Sequence, residues 1–141
     1  MGCGAIDITQ GQFAVRLARL YLELSRVVES FSPVEAAVEA PFHGASARSA
    51  LLLAHARGVV LAAVAQANIP VFEYSPAALK KAVTGNGRAE KEQVQAMVSR
   101  LIPGCAEIRS TDAADAVAAA LGHLFTSGTG AGLRAPARAQ R

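Results

Sequence analysis

A chain of 141 residues, 52% hydrophobic and without tryptophan, is long enough to bury a sizeable core and implies one domain. Its net charge of +3 creates no global positive field: Arg134, Arg138 and Arg141 lie in the last sixteen residues, which hold no acid, and residues 1–125 carry eleven basic and eleven acidic side chains. Nucleic-acid binding would therefore have to come from local patches, and two cysteines, Cys3 and Cys105, are too few for a disulfide framework or a zinc site and fit a reducing cytoplasm.

The first residues lack a basic n-region and a long apolar stretch, so no signal peptide is expected. Residues 2–8 read as a short strand, and Thr9-Gln-Gly-Gln12 fits a capping box. Phe13, Leu17, Leu20, Leu24, Val27 and Phe31 recur at steps of three and four and mark an amphipathic helix, which Ser32-Pro33 stops. Residues 34–39 form a second expected strand, followed by a loop over 40–44 and a long helix over about 45–67. The apolar segment 50–67 has His55 and Arg57 near its middle, which predicts a buried helix rather than a membrane span. Residues 69–74 read as a third strand, and Ser75-Pro76 caps a short helix holding Lys80 and Lys81.

Thr84-Gly-Asn-Gly-Arg88 is a tight turn. The next helix covers about 89–101, with Val94, Met97, Val98 and Leu101 facing in, and Pro103-Gly104 breaks it. A last helix over 110–124 takes Thr111 as N-cap, with Asp112 in its first turn and Val117, Leu121 and Leu124 toward a core. After Phe125 the Gly/Ala/Arg-rich segment has no periodicity, so the expected organisation is a domain over 1–125 and a disordered tail over 126–141. The order β-α-β-α-β-α-α-α predicts an α/β layer fold with parallel strands. Three strands make a thin sheet for so many helices, a sign that part of the sheet is missing.

Three stretches carry residues suited to chemistry. Asp112 and Asp115 share one helix face one turn apart, which fits either a solvated first turn or a divalent-cation site completed by a carboxylate from elsewhere. Glu39 closes a strand just before a loop, where sites of open α/β sheets lie; it reads equally as an exposed strand-end acid. Phe42 in that loop either tucks under it or wedges between unstacked bases. Lys80, Lys81, Arg88 and Lys91 flank the Gly-x-Gly turn, a pattern for phosphate contacts that is not a P-loop and is also compatible with a plain solvated surface.

Together these pieces resemble the RuvC family of bacterial Holliday-junction resolvases over roughly residues 2–125. The carrying motifs are Ala37-Val-Glu-Ala-Pro-Phe42, Ala56-Arg-Gly-Val59, Pro70-Val-Phe-Glu-Tyr74, the segment 80–98 and Asp112-Ala-Ala-Asp-Ala116. The resemblance implies an RNase H-like fold, a homodimer, a cytoplasmic bacterial setting and Mg2+-dependent symmetric nicking of four-way junction DNA, with Mn2+ as a substitute ion. It also implies the branch-migration proteins RuvA and RuvB as partners. Family metal-ligating acids carry over to Glu39, Asp112 and Asp115, the junction-core aromatic to Phe42, and phosphate-engaging lysines to Lys80 and Lys91. Lys91 is then expected to offset charge on the scissile phosphate, and the helix over 45–67 to form much of the dimer interface through Ala54, Gly58, Ala62 and Ala65.

One departure matters. The family's first strand ends in Gly-Ile-Asp-Pro-Gly and supplies the first metal-binding aspartate; this sequence has no such motif. Asp7 lies thirty-two residues before Glu39, room for one helix and one strand where the family fits more, so residues 2–8 match the family's third strand and Asp7 a non-catalytic position. The expectation is an incomplete sheet with an exposed apolar edge and a metal site lacking a bridging ligand, hence a weak or inactive nuclease for this chain alone. A binding-only or dimerising protein, or a product without function of its own, are the competing readings.

Overall fold

The computed structural model of the chain describes residues 2–40, 46–102 and 111–127. Seven elements follow one another: α1 (Phe13–Phe31), β1 (Ala36–Glu39), α2 (Ala47–Gln66), β2 (Val71–Tyr74), α3 (Pro76–Thr84), α4 (Lys91–Leu101) and α5 (Thr111–Ser127). β1 and β2 pair with each other. Ala36 N–H donates to Pro70 C=O and Ala40 N–H to Tyr74 C=O, an equal advance on both strands that makes the pair parallel.

Residues 2–8, expected as a strand, form none. A strand needs a laddering neighbour, and the described sheet consists of β1 and β2 alone. The Asp7 carboxylate instead accepts the backbone N–H and hydroxyl of Thr9, at 2.9 and 2.7 Å. The expected Thr9 capping box is absent because α1 starts too late for Thr9 to be its N-cap. Gly11 has φ +97°, a left-handed conformation that keeps the helix from starting earlier, and α1 begins after Gln12, whose side chain makes no cap bond.

The described residues fall into two compact units. The first, residues 6–36 and 46–71, is built on α1 packed against α2. Val28, Ala63 and Val64 are its buried apolar residues, whereas Phe13, Val27 and Phe31 stay exposed. α2 is not the buried helix expected from its composition: Leu51, Leu52 and Leu53 are 60%, 43% and 63% exposed. Consecutive helical residues diverge by about 100°, so a single partner helix cannot cover all three. By length and composition α2 is also long and apolar enough to cross a membrane.

The second unit, residues 2–5, 37–40, 72–102 and 111–127, holds α3, α4 and α5 packed on one another. Val83, Ala89, Val94, Val98, Ala118 and Leu121 make its core, with Met97, Ile102 and Val117 against it. Leu101 and Leu124, expected inside, are exposed: Leu101 is the last residue of α4, and Leu124 continues the outward stripe of Asp112, Ala116 and Ala120 on α5. The local signals behind these helices are specific. Ser75 accepts Ala78 N–H and Pro76 opens α3, while Gly85 at φ +79° ends it. α4 starts two residues later than expected, at Lys91, because Glu90 and Gln93 form the capping box. α5 already includes Thr111.

At Gly122 α5 lies tightly against α3. A Cβ there would lie 2.8 Å from Leu79 Cδ2, 3.6 Å from Leu79 Cα and 3.7 Å from Ala82 Cβ. Leu79 is buried and has little room to yield. Gly122→Ala is therefore expected to destabilise the protein by about 1–2 kcal/mol, read as a lower urea midpoint with an unchanged slope.

Candidate active site

The second unit brings four of the sequence-predicted residues into one cavity of about 180 Å3: Glu39, Lys80, Lys91 and Asp115. Glu39 arrives as the last residue of β1, whose end is held by the Ala40–Tyr74 ladder bond at 2.7 Å. Lys80 projects from α3, Lys91 from the first position of α4, and Asp115 from the second turn of α5. Leu79, Val94 and Ala118 supply an apolar floor, and Pro76 completes the rim. The sequence reading missed that floor and the Glu90–Gln93 box that sets Lys91 at the helix start. The box was written in the spacing Glu-x-x-Gln, but Glu is an uncommon cap.

Lys91 Nζ and Asp115 Oδ2 form an ion pair at 2.9 Å. Both side chains are nearly half exposed, so the pair adds at most about 1 kcal/mol to stability. Its importance is electrostatic. The hydrogen bond to Asp115 raises the Lys91 pKa, partial desolvation opposes this, and the charges of Asp115, Asp112 and Glu39 reinforce it. The Glu39 residue is exposed overall, yet desolvation of its carboxyl is the main reason its pKa is raised; the Asp115 charge adds to this, and Lys91 and Lys80 pull the other way. Two carboxylates and two lysines thus sense one another across a single opening.

The other expected residues are placed differently. Asp112 is exposed and does not line the cavity, although its charge acts on Lys91. Lys81 and Arg88 are exposed and lie off the lining; Arg88 N–H donates to Asn86 Oδ1 within the Gly85–Gly87 turn. Phe42 lies outside the described residues. Asp7 is held by Thr9, and those hydrogen bonds keep its carboxyl below the usual range.

Hard oxygen donors from Glu39 and Asp115 suit a divalent cation in chemistry. Among the described residues, however, no group of three or more ligating side chains is assembled. The pair is a partial donor set.

The raised Glu39 pKa has a consequence for stability. Glu39 binds its proton more tightly folded than unfolded, so the ionised form opposes folding above the folded pKa. That opposition shrinks as pH falls through the folded pKa and is gone below the ordinary value, where Glu39 is neutral in both states. Glu39→Gln is therefore expected to raise Tm slightly at pH 7 and to leave it unchanged near pH 3, measured by thermal melts across that range.

The family model for crossover junction endodeoxyribonuclease RuvC matches residues 1–123. The chain belongs to the RuvC family of crossover junction endodeoxyribonucleases. RuvC of Sorangium cellulosum is 46% identical over 133 residues, which cover 94% of this chain and 74% of the relative. RuvC of Nitratidesulfovibrio vulgaris (strain Hildenborough) is 48% identical over 122 residues, covering 86% of this chain and 73% of the relative. The solved structure of Thermus thermophilus RuvC in complex with Holliday junction substrate superposes with a TM-score of 0.79 at 35% identity, covering 86% of this chain and 74% of that one. The fold is therefore the RNase H-like fold of RuvC, a family of metal-dependent nucleases. The chain spans about three quarters of the length of these relatives.

Proposed function

We propose that the chain engages four-way junction DNA and takes part in its symmetric nicking as a homodimer, with Mg2+ as cofactor and Mn2+ as a substitute. The observation that carries this reading is the cavity in which Glu39 and Asp115 face Lys80 and Lys91. Glu39, Asp115 and Asp112 are the metal-binding acids in this proposal. Bound divalent metal supplies Lewis-acid polarisation of the phosphate and an activated water.

The chain's own side chains do the rest. Lys80 and Lys91 draw the phosphate backbone into the opening, and Lys91 offsets negative charge building on the scissile phosphate. Leu79, Val94 and Ala118 exclude water from the inner wall and so strengthen these charge interactions. Lys81 and Arg88 add phosphate contacts from the α3–α4 turn, and Phe42 holds bases unstacked at the crossover.

The exposed leucines of α2 support the homodimer, because a second copy would cover a face that α1 leaves open. RuvA and RuvB are the proposed branch-migration partners, in the bacterial cytoplasm. The relatives are bacterial DNA-acting enzymes, which supports that setting.

A gel-shift and nicking assay with Glu39→Gln and Asp112→Asn tests the reading. The expected result is junction binding well above that of linear duplex, retained in both variants, with Mg2+-dependent nicking lost. Equal affinity for junction and duplex, or binding lost together with nicking, would count against it.

A further inference from the structure

A side-chain hydrogen bond joins α5, which carries Asp115, to β2, the strand that ladders with the Glu39-bearing β1. His123 lies on α5, buried to 6% exposure and eight residues beyond Asp115, about 12 Å along the helix. Its Nδ1 and the Tyr74 hydroxyl oxygen are hydrogen bonded at 2.7 Å. Phe72 packs on the imidazole with ring centroids 4.6 Å apart, and the Tyr74 ring lies at 5.7 Å. Tyr74 ends β2, and its carbonyl accepts the Ala40 N–H at 2.7 Å. Ala40 directly follows Glu39. A continuous path therefore runs from the Glu39 backbone through Ala40, Tyr74 and His123 to the helix that presents Asp115.

The rest of α5 explains why such a bond is needed. Its other buried positions are mostly alanines, Ala113, Ala114, Ala118 and Ala119. Alanine ridges are shallow and hold rotation and axial register less firmly than large side chains; Gly122 against Leu79 ties α5 to α3, and His123 ties it to β2. A short hydrogen bond between two aromatic side chains has one good geometry and resists sliding.

We infer that His123 and Tyr74 are positioning residues whose hydrogen bond sets the register of α5 on the β1–β2 edge, and so holds the Glu39 carboxylate opposite Asp115. Neither touches the reacting atoms. The inference rests on the reading of Glu39 and Asp115 as acids of the nicking reaction.

Amide hydrogen exchange on the full chain tests the strut, with single-turnover junction nicking in Mg2+ as the functional readout. Tyr74→Phe removes the hydroxyl and keeps the ring. His123→Leu removes the polar ring, and His123→Asn keeps a polar atom close to the Nδ1 position. The Ala40 amide is expected to exchange about tenfold faster in Tyr74→Phe and His123→Leu, and near the wild-type rate in His123→Asn. The Val98 amide, in the core, serves as the control for global unfolding. Nicking at saturating protein is expected to slow by about ten- to a hundredfold in Tyr74→Phe with junction affinity unchanged. Should His123→Leu fail to fold, Tyr74→Phe carries the test.

Unchanged Ala40 exchange in Tyr74→Phe would overturn the inference, as would faster exchange with an unchanged nicking rate. A wild-type chain that does not nick at all would count against the proposed function; Ala40 protection, lost in Tyr74→Phe and regained in His123→Asn, would then decide the strut alone.

Discussion

Lys91→Ala is expected to slow junction nicking by about 10²–10³-fold, on the scale of removing one preorganised charge from the reacting centre. Lys91 starts α4, lines the cavity and is paired with Asp115 at 2.9 Å. Its loss removes the cation nearest the acids and leaves Glu39 and Asp115 in less screened repulsion. Because the ion pair is half exposed, Tm should change little. Junction affinity should fall modestly, with the slope of log affinity against log salt becoming shallower by about one. Single-turnover kinetics beside a salt titration of binding separate the two effects. A loss of affinity as large as the loss of rate would make Lys91 a binding residue only.

The 141-residue polypeptide on its own is expected to nick four-way junctions about 10³-fold more slowly than a family member carrying the Gly-Ile-Asp-Pro-Gly motif. That motif is absent from this sequence, and among the described residues no group of three ligating side chains forms. A metal centre contributes several kcal/mol of transition-state stabilisation, and each 1.36 kcal/mol is about tenfold in rate. Side-by-side assays in Mg2+ with one synthetic junction measure the ratio. A rate equal to that of the relative would refute the expectation and would mean that the residues seen in the cavity suffice.

The parts of this architecture that depend on neighbouring residues were readable in the sequence. Ser75-Pro76 at the start of α3 and Gly85 at its end act through their own backbone and nearest turns. Glu39 was readable because an apolar run ended in an acid before a loop. The pairing of Lys91 with Asp115 was not, since they are twenty-four residues apart and meet only because α4 and α5 pack together. The same holds for His123 and Tyr74, forty-nine apart.

Where expectation and structure part, the missing ingredient is usually a partner. Residues 2–8 have strand-like composition but no described neighbour to ladder with. The α2 leucines have the composition of a buried helix, but α1 covers only one face of it. Leu101 keeps helical spacing with the core residues, yet periodicity does not say where the covering helix stops, and Leu124 falls on the outward face of α5 with Ala116 and Ala120. Thr9 fits a capping box by spacing, but Gly11 at φ +97° delays the helix to Phe13, and Gln12 takes the N-cap position.

The most direct test of the central claim, that Glu39 and Asp115 form the cation-binding heart of the site, is paramagnetic broadening by Mn2+ in a two-dimensional NMR spectrum of the wild-type chain. Substoichiometric Mn2+ is expected to broaden the amides of Glu39, Ala40, Asp112 and Asp115 before those remote from the cavity, and to spare them in Glu39→Gln. Broadening centred on Asp7 or Glu23, with the cavity amides unaffected, would contradict the account.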